Sequence, residues 1–220
     1  MRRILIANQT NYDQDWAAET LVQLLHPSMK AMIMPMEADE GWASDAVQVR
    51  ERFAADTDYH YDIERPLRSY GLKSFRWIEL SESLSLSHGD VLCLFGTDGE
   101  TCMDFLQDYD LEEKINGFDG ILIVLSEAAH MLEGEFESGG EYDRYVRRGL
   151  GILSGIHFLM HYEQSEENIK EMIRMLETDG KPILVLSEKS GVLFEEGRVE
   201  LLGDAFIAEE RDLDELYSLL

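Results

Sequence analysis

The stretch Ile121-Leu122-Ile123-Val124-Leu125-Ser126-Glu127-Ala128-Ala129-His130 decides how this chain reads. Its five aliphatic residues show neither alternation nor a helical period, as expected of a short strand buried on both faces. The run stops at a serine, and small and polar residues then open a helix. Upstream, Val91-Leu92-Cys93-Leu94-Phe95 repeats the pattern and gives way to Gly96-Thr97-Asp98-Gly99-Glu100-Thr101, a small-residue turn before a helix whose inner stripe is Cys102, Phe105, Leu106 and Tyr109. Outward toward the N-terminus, Arg3 to Ala7 reads as a first strand. Trp16, Thr20, Leu21, Leu24 and Leu25 fall on one helical face that Pro27 ends. Ala31 to Met34 is a strand closed by Pro35, Ser44 to about Tyr70 is predicted to be helical in two pieces broken at Pro66, and Phe75 to Leu80 is a further strand.

Toward the C-terminus, His157 to Tyr162 reads as a strand. Ile169, Met172, Ile173 and Leu176 recur at helical spacing, between a Ser165 cap and Gly180. Ile183 to Leu186, Val192 to Phe194 and Val199 to Leu202 are predicted strands, the last two joined in a hairpin at Glu196-Gly197. Leu213, Leu216, Tyr217 and Leu220 form a short amphipathic helix. It is expected to dock on the body of the protein; packing against a second copy, as a homodimer, is the less favoured reading. Alternating elements with strands buried on both faces predict an α/β protein. The expected architecture is a three-layer α/β/α sandwich with a mostly parallel sheet and a terminal β-hairpin, in a single domain over residues 1–220.

Composition narrows the function. The chain has 45 acidic and 19 basic residues of 220, a net charge of −26. Such a surface repels phosphate backbones and anionic lipid headgroups, and no basic run is longer than Arg147-Arg148, so neither nucleic acid nor a membrane surface is an expected partner. No apolar run is long enough to span a bilayer, and Met1-Arg2-Arg3 leads straight into a strand, so the expected location is cytoplasmic. Cys93 and Cys102 have no zinc or redox spacing and read as small core residues.

In open α/β sheets chemistry collects beyond the carboxyl ends of the strands. A serine on a sharp strand-to-helix corner can project its hydroxyl above the sheet, near backbone N–H groups able to hold an oxyanion. A helix N-cap is the commoner role for serine in that position and is favoured on position alone. His157 and His161, four apart, have no third residue spaced to complete a metal site, so no metal or other cofactor is expected. His130 reads as a structural or pocket-wall residue. Glu188, just past Leu186, is one of many acidic side chains. Ser126, His161 and Glu188 are weak signals singly, and their joint placement at three strand ends raises them.

These residues resemble the dipeptidase E and cyanophycinase family of serine peptidases, which have a flavodoxin-like fold of the class I glutamine amidotransferase type. The resemblance spans nearly the whole chain. Asp98-Gly99-Glu100-Thr101 stands where the family has Gly-Gly-Asn-Thr, and Ser126 stands at its Gly-x-Ser-Ala-Gly-Ala corner. Gly149-Leu150-Gly151-Ile152-Leu153, His161-Tyr162, Glu188 with Gly191-Val192-Leu193, and Leu202-Gly203 are similar to later family segments. The resemblance implies Ser126 as nucleophile, His161 as general base and then acid, and Glu188 orienting the imidazole, with the backbone N–H groups of Gly99 and Glu127 holding the oxyanion. It implies an exopeptidase on short peptides, acidic peptides or isoaspartyl polymers being the usual substrates.

Val124 and Ala128 replace glycines of the family corner, and Glu127 replaces an alanine. A carboxylate about 6 Å from a developing oxyanion would cost roughly 3 kcal/mol at an effective dielectric of about 20, on the order of a hundredfold in rate. With Asp98 and Glu100 it makes an acidic mouth suited to a neutral or cationic peptide. Arg144, Arg147 and Arg148 are the candidates for meeting an acidic substrate. The alternative is a catalytically degenerate relative that binds a ligand or partner without turnover. A glutamine amidotransferase is disfavoured because the corner residue is not cysteine.

Overall fold

The computed structural model describes residues 2–36, 57–78, 86, 90–139 and 143–220. Its first strands are β1 (Arg3–Ala7), β2 (Lys30–Pro35), β3 (Ser74–Trp77), β4 (Val91–Phe95) and β5 (Ile121–Leu125). Then come β6 (Glu135–Ser138), β7 (Tyr145–Arg148), β8 (His157–Leu159), β9 (Ile183–Val185), β10 (Ser190–Glu195), β11 (Arg198–Gly203) and β12 (Phe206–Ala208). The helices are α1 (Asp15–Leu24), α2 (Thr57–Ser69), α3 (Gly99–Asp108), α4 (Glu112–Asn116), α5 (Glu166–Asp179) and α6 (Leu213–Ser218), with a 3-10 helix at Ser126–Leu132.

A seven-stranded sheet runs β11-β10-β1-β5-β4-β2-β3, parallel from β1 through β3, with the β10–β11 hairpin added antiparallel beside β1. Two layers of core follow from the pleat, since neighbouring side chains on a strand point to opposite faces. Ile4, Ile6, Leu92, Leu94, Leu122 and Val124 pack on one face with Cys102, Phe105 and Leu106 of α3. Leu5, Ala7, Val91, Cys93, Ile121 and Ile123 pack on the other with Ala17 and Leu21 of α1 and Ile63 and Leu67 of α2. The expected sandwich with a mostly parallel sheet is the architecture found.

Several local expectations give way. α2 runs through Pro66 to Ser69 instead of breaking there. Pro66 lies in its last turn, so the one i→i−4 bond its missing N–H forfeits falls where the helix is about to end, and Ser69 Oγ donates to the Pro66 carbonyl at 2.6 Å. The helical piece expected from Ser44 lies outside the described residues up to Thr57, as do residues 79–80 of the strand expected after Phe75. β8 stops at Leu159, short of Tyr162, and joins β9 and β12 in a separate three-stranded sheet. The β6–β7 hairpin has no counterpart in the sequence reading. α6 docks through Leu216 in a third cluster with Ile169, Met172 and Ile173 of α5, whereas Tyr217 and Leu220 remain exposed.

The register sets the position of the site. Ala7, Leu125 and Phe95 stand at one level across β1, β5 and β4, so Asn8, Ser126 and Gly96 leave the sheet together. β10 enters at the same edge, Gly191 opposite Ala7. Ile123 is fully buried in the central strand. Its replacement by Ala should lower unfolding free energy by about 2–5 kcal/mol in urea titration, the loss expected for a core cavity beneath the site.

Candidate active site

Ser126 follows the last residue of β5 with φ of 57°, a left-handed backbone that a non-glycine residue adopts at a cost of order 1–3 kcal/mol. The sharp bend carries its hydroxyl out of the sheet. The cap position of the 3-10 helix falls on Leu125, and the serine side chain makes no capping bond. Its Oγ lies 2.7 Å from Nε2 of His161 instead. The N-cap reading of Ser126 is thus set aside by the direction of its side chain.

His161 reaches the serine because the chain turns just past β8. The Tyr162 N–H donates to the Leu186 carbonyl at 2.9 Å, tying the turn to the end of β9, and His161 itself has φ of 52°. Its side chain is 48% exposed, so the pair is open to a ligand. The backbone N–H of His161 donates to Asn8 Oδ1 at 3.0 Å, and Asn8 Nδ2 lies 3.3 Å from ring Nδ1. Asn8 is buried, 1% exposed, at the end of β1.

Glu188 does not take the place implied for it. Its backbone carbonyl accepts from Asn11 Nδ2 at 3.3 Å, and among the described residues its carboxylate makes no hydrogen bond or ion pair with the imidazole. The Asn8 N–H donates to the Ser190 carbonyl at 3.2 Å, so Asn8 stands at the start of β10 with its amide on the ring. Of the three sequence candidates, two are brought together, and Asn8 occupies the outer side of the histidine. The one sequence signal for Asn8 is a polar residue ending the apolar run Ile4-Leu5-Ile6-Ala7 at the carboxyl end of a central strand.

Gly99 opens α3 behind the Asp98 cap, whose Oδ1 accepts from Thr101 N–H at 2.7 Å. A Cβ at Gly99 would meet His130 Cβ at 2.7 Å, so only glycine lets α3 approach the 3-10 helix this closely. Among the described residues neither Gly99 N–H nor Glu127 N–H has a hydrogen-bond acceptor, which leaves both donors unused. Val124 and Ala128 are fully buried in the core on the α3 face. Cys93 is a core residue, and burial pushes its thiol up to about 12.

The carboxylate beside the serine is not isolated. Nε2 of His130 lies 3.0 Å from Glu127 Oε2, and Glu127 Oε1 is 3.9 Å from Nε2 of His161. His130 Nδ1–H donates to Glu133 Oε1 at 2.7 Å, His157 Nδ1–H to Glu133 Oε2 at 2.5 Å, and His157 Nε2 lies 3.0 Å from Asp179 Oδ2. Glu133 is 1% exposed, and two imidazoles meet its buried charge. Burial opposes charge on His130, but its hydrogen bonds to Glu127 and Glu133 outweigh it and raise the group to about 9. The same bonds, against desolvation, hold Glu127 below the usual carboxylate range. The repulsion expected from Glu127 is therefore largely offset by an adjacent imidazolium. His157 and His161 serve different partners, and among the described residues no cluster of side chains is arranged to hold a metal.

Beside this network lies a cleft of about 350 Å³ whose lining includes Glu127, His130, Phe136, Phe158, Met160 and Arg144. Arg144 bonds Glu171 at 2.9 Å and Arg147 bonds Glu100 at 2.9 Å, so two of the three candidate arginines are already engaged by carboxylates. Glu133, buried between two histidines, escaped the sequence reading because three acidic residues in Glu133-Gly134-Glu135-Phe136-Glu137 look alike in sequence.

His130 contributes stability fully below its ordinary value of 6.5 and loses that contribution as pH rises through about 9. Denaturation at about pH 6 and about pH 10 should show up to about 3 kcal/mol lost at the higher pH, a loss absent from His130→Gln.

No protein-family model and no curated protein matches this sequence. Solved structures do match. A Listeria monocytogenes EGD-e protein provisionally assigned as a peptidase E aligns with TM-score 0.62 and 13% identity, over 91% of this chain and 98% of that one. A peptidase from an acI-B1 Actinobacterium aligns with TM-score 0.58 and 12% identity, over 95% of this chain and 90% of that one. The chain thus has the α/β fold of the peptidase E-like proteins.

Proposed function

We propose that this protein is a serine-type peptidase that removes residues from an end of short peptides, with Ser126 as nucleophile and His161 as its proton carrier. The observation that carries the reading is the 2.7 Å contact of Ser126 Oγ with His161 Nε2 at a left-handed strand-end serine. In the reaction Ser126 Oγ bonds to the peptide carbonyl carbon as its proton passes to Nε2. The C–N bond then breaks, and the leaving amine takes that proton; water repeats the sequence to release the acyl group. The unused N–H groups of Gly99 and Glu127 are the proposed oxyanion donors, and Glu127 meets the positive charge that forms on His161. The carboxylates that line the cleft and the engagement of Arg144 and Arg147 favour neutral or cationic peptides over acidic ones.

A second reading, ligand binding without turnover, is favoured by one observation: an amide, not a carboxylate, meets Nδ1 of His161. A fluorophosphonate probe separates the two readings, because it bonds covalently to an activated serine with loss of fluoride. Wild type should label, Ser126→Ala should not, and His161→Gln should label at least a hundredfold more slowly. A folded wild type that never labels would leave the binding reading in place.

A further inference from the structure

The side of the His161 ring away from the serine fixes where the imidazole proton sits. The backbone N–H of His161 can only donate, so the Asn8 oxygen must face it, as it does at 3.0 Å. This anchors the amide and leaves Nδ2 toward the ring at 3.3 Å from Nδ1. Nδ2 carries protons and has no lone pair to offer, so Nδ1 must accept. A neutral imidazole has one N–H, and here it belongs on Nε2, the nitrogen 2.7 Å from Ser126 Oγ.

We propose that Asn8 is a positioning residue that holds His161 in the Nε2–H tautomer and thereby restrains Ser126. In that tautomer Nε2–H donates to the hydroxyl and has no lone pair with which to take its proton. For Ser126 to be deprotonated, the imidazole proton must move to Nδ1, where it would point at the N–H of Asn8. The amide can turn its oxygen to that proton only by giving up the bond to the His161 N–H. Burial of Asn8 and the bond its Oδ1 accepts from the His161 N–H hold the amide against turning, and the bond from the Asn8 backbone N–H to the Ser190 carbonyl fixes the main chain that carries it. The scale of such a restraint is known in general terms: exchanging the triad carboxylate of a serine protease for its amide costs about ten-thousandfold in turnover by fixing the wrong tautomer.

Asn8→Asp reverses the logic with one change of atom. One carboxylate oxygen still accepts from His161 N–H, and the other accepts from Nδ1–H, which leaves the Nε2 lone pair facing Ser126. The inference rests on Ser126 and His161 being the reacting pair, so its test reads the proton directly as well as the reaction.

Nitrogen-15 NMR of ring-labelled histidines, with the His161 signals identified by their loss in His161→Gln, should show the Nε2–H tautomer in wild type and Nδ1–H in Asn8→Asp. The fluorophosphonate labelling rate of Asn8→Asp should exceed that of wild type by at least tenfold. If Asn8→Asp fails to fold, Asn8→Ala removes the donor at Nδ1 and should label severalfold faster. Nδ1–H in wild type overturns the proposal whatever the variants do, and so does a switched tautomer with no faster labelling of a protein that wild type shows to be reactive. Labelling of neither protein marks a different failure, that of the serine-hydrolase reading, and the restraint falls with it.

Discussion

The hydrogen bond between Ser126 and His161 joins two parts of the chain that have no reason to meet except the fold. Both residues sit in the left-handed backbone region, at φ of 57° and 52°, so the contact stores strain at both ends. What over-determines that strain is the sheet beneath it. β5 is buried on both faces and flanked by β1 and β4 in fixed register, so the place where Ser126 leaves the sheet is not adjustable. The turn carrying His161 is tied on one side to Leu186 and on the other to Asn8. Asn8 touches both the backbone and the ring of His161, which makes it the hinge between the sheet and the imidazole.

Electrostatics around the pair is local, despite a net charge of −26. Glu127, His130, Glu133, His157 and Asp179 form an alternating series from the serine to the surface. Each carboxylate of the series, the buried Glu133 among them, has an imidazole, and each of these imidazoles has two carboxylates. In a low-dielectric region this alternation keeps any one charge from being stranded. It also binds the 3-10 helix that follows Ser126 to β8, through His130, Glu133 and His157, so the serine and the histidine approach share one polar scaffold.

The residues at the strand-end corner are accommodated differently from one another. Val124 and Ala128 fill core space, and the left-handed bend forms at Ser126 without glycine beside it. Glu127 is drawn sideways to His130. Gly99 is where glycine is indispensable, because the backbone of α3 lies against His130 there.

The architecture, and the strand ends that bring Ser126 and His161 into contact, were legible in the sequence, because double-sided burial writes continuous aliphatic runs and strand ends are few. Ser126 and His161 could be found for that reason: each follows an apolar run. Glu188 also follows one, but sequence order gives no direction for a side chain, and the turn before β10 presents its backbone carbonyl to Asn11. Asn8 and Glu133 carried almost no sequence signal, since one polar residue at a strand end or one acid among 45 is unremarkable alone. Their roles arise from contacts across 153 positions, for Asn8 with His161, and 24, for Glu133 with His157. Local pattern records which side chains avoid water. Which polar atom meets which is decided by the packing of distant segments, and here that includes the nitrogen on which the His161 proton rests.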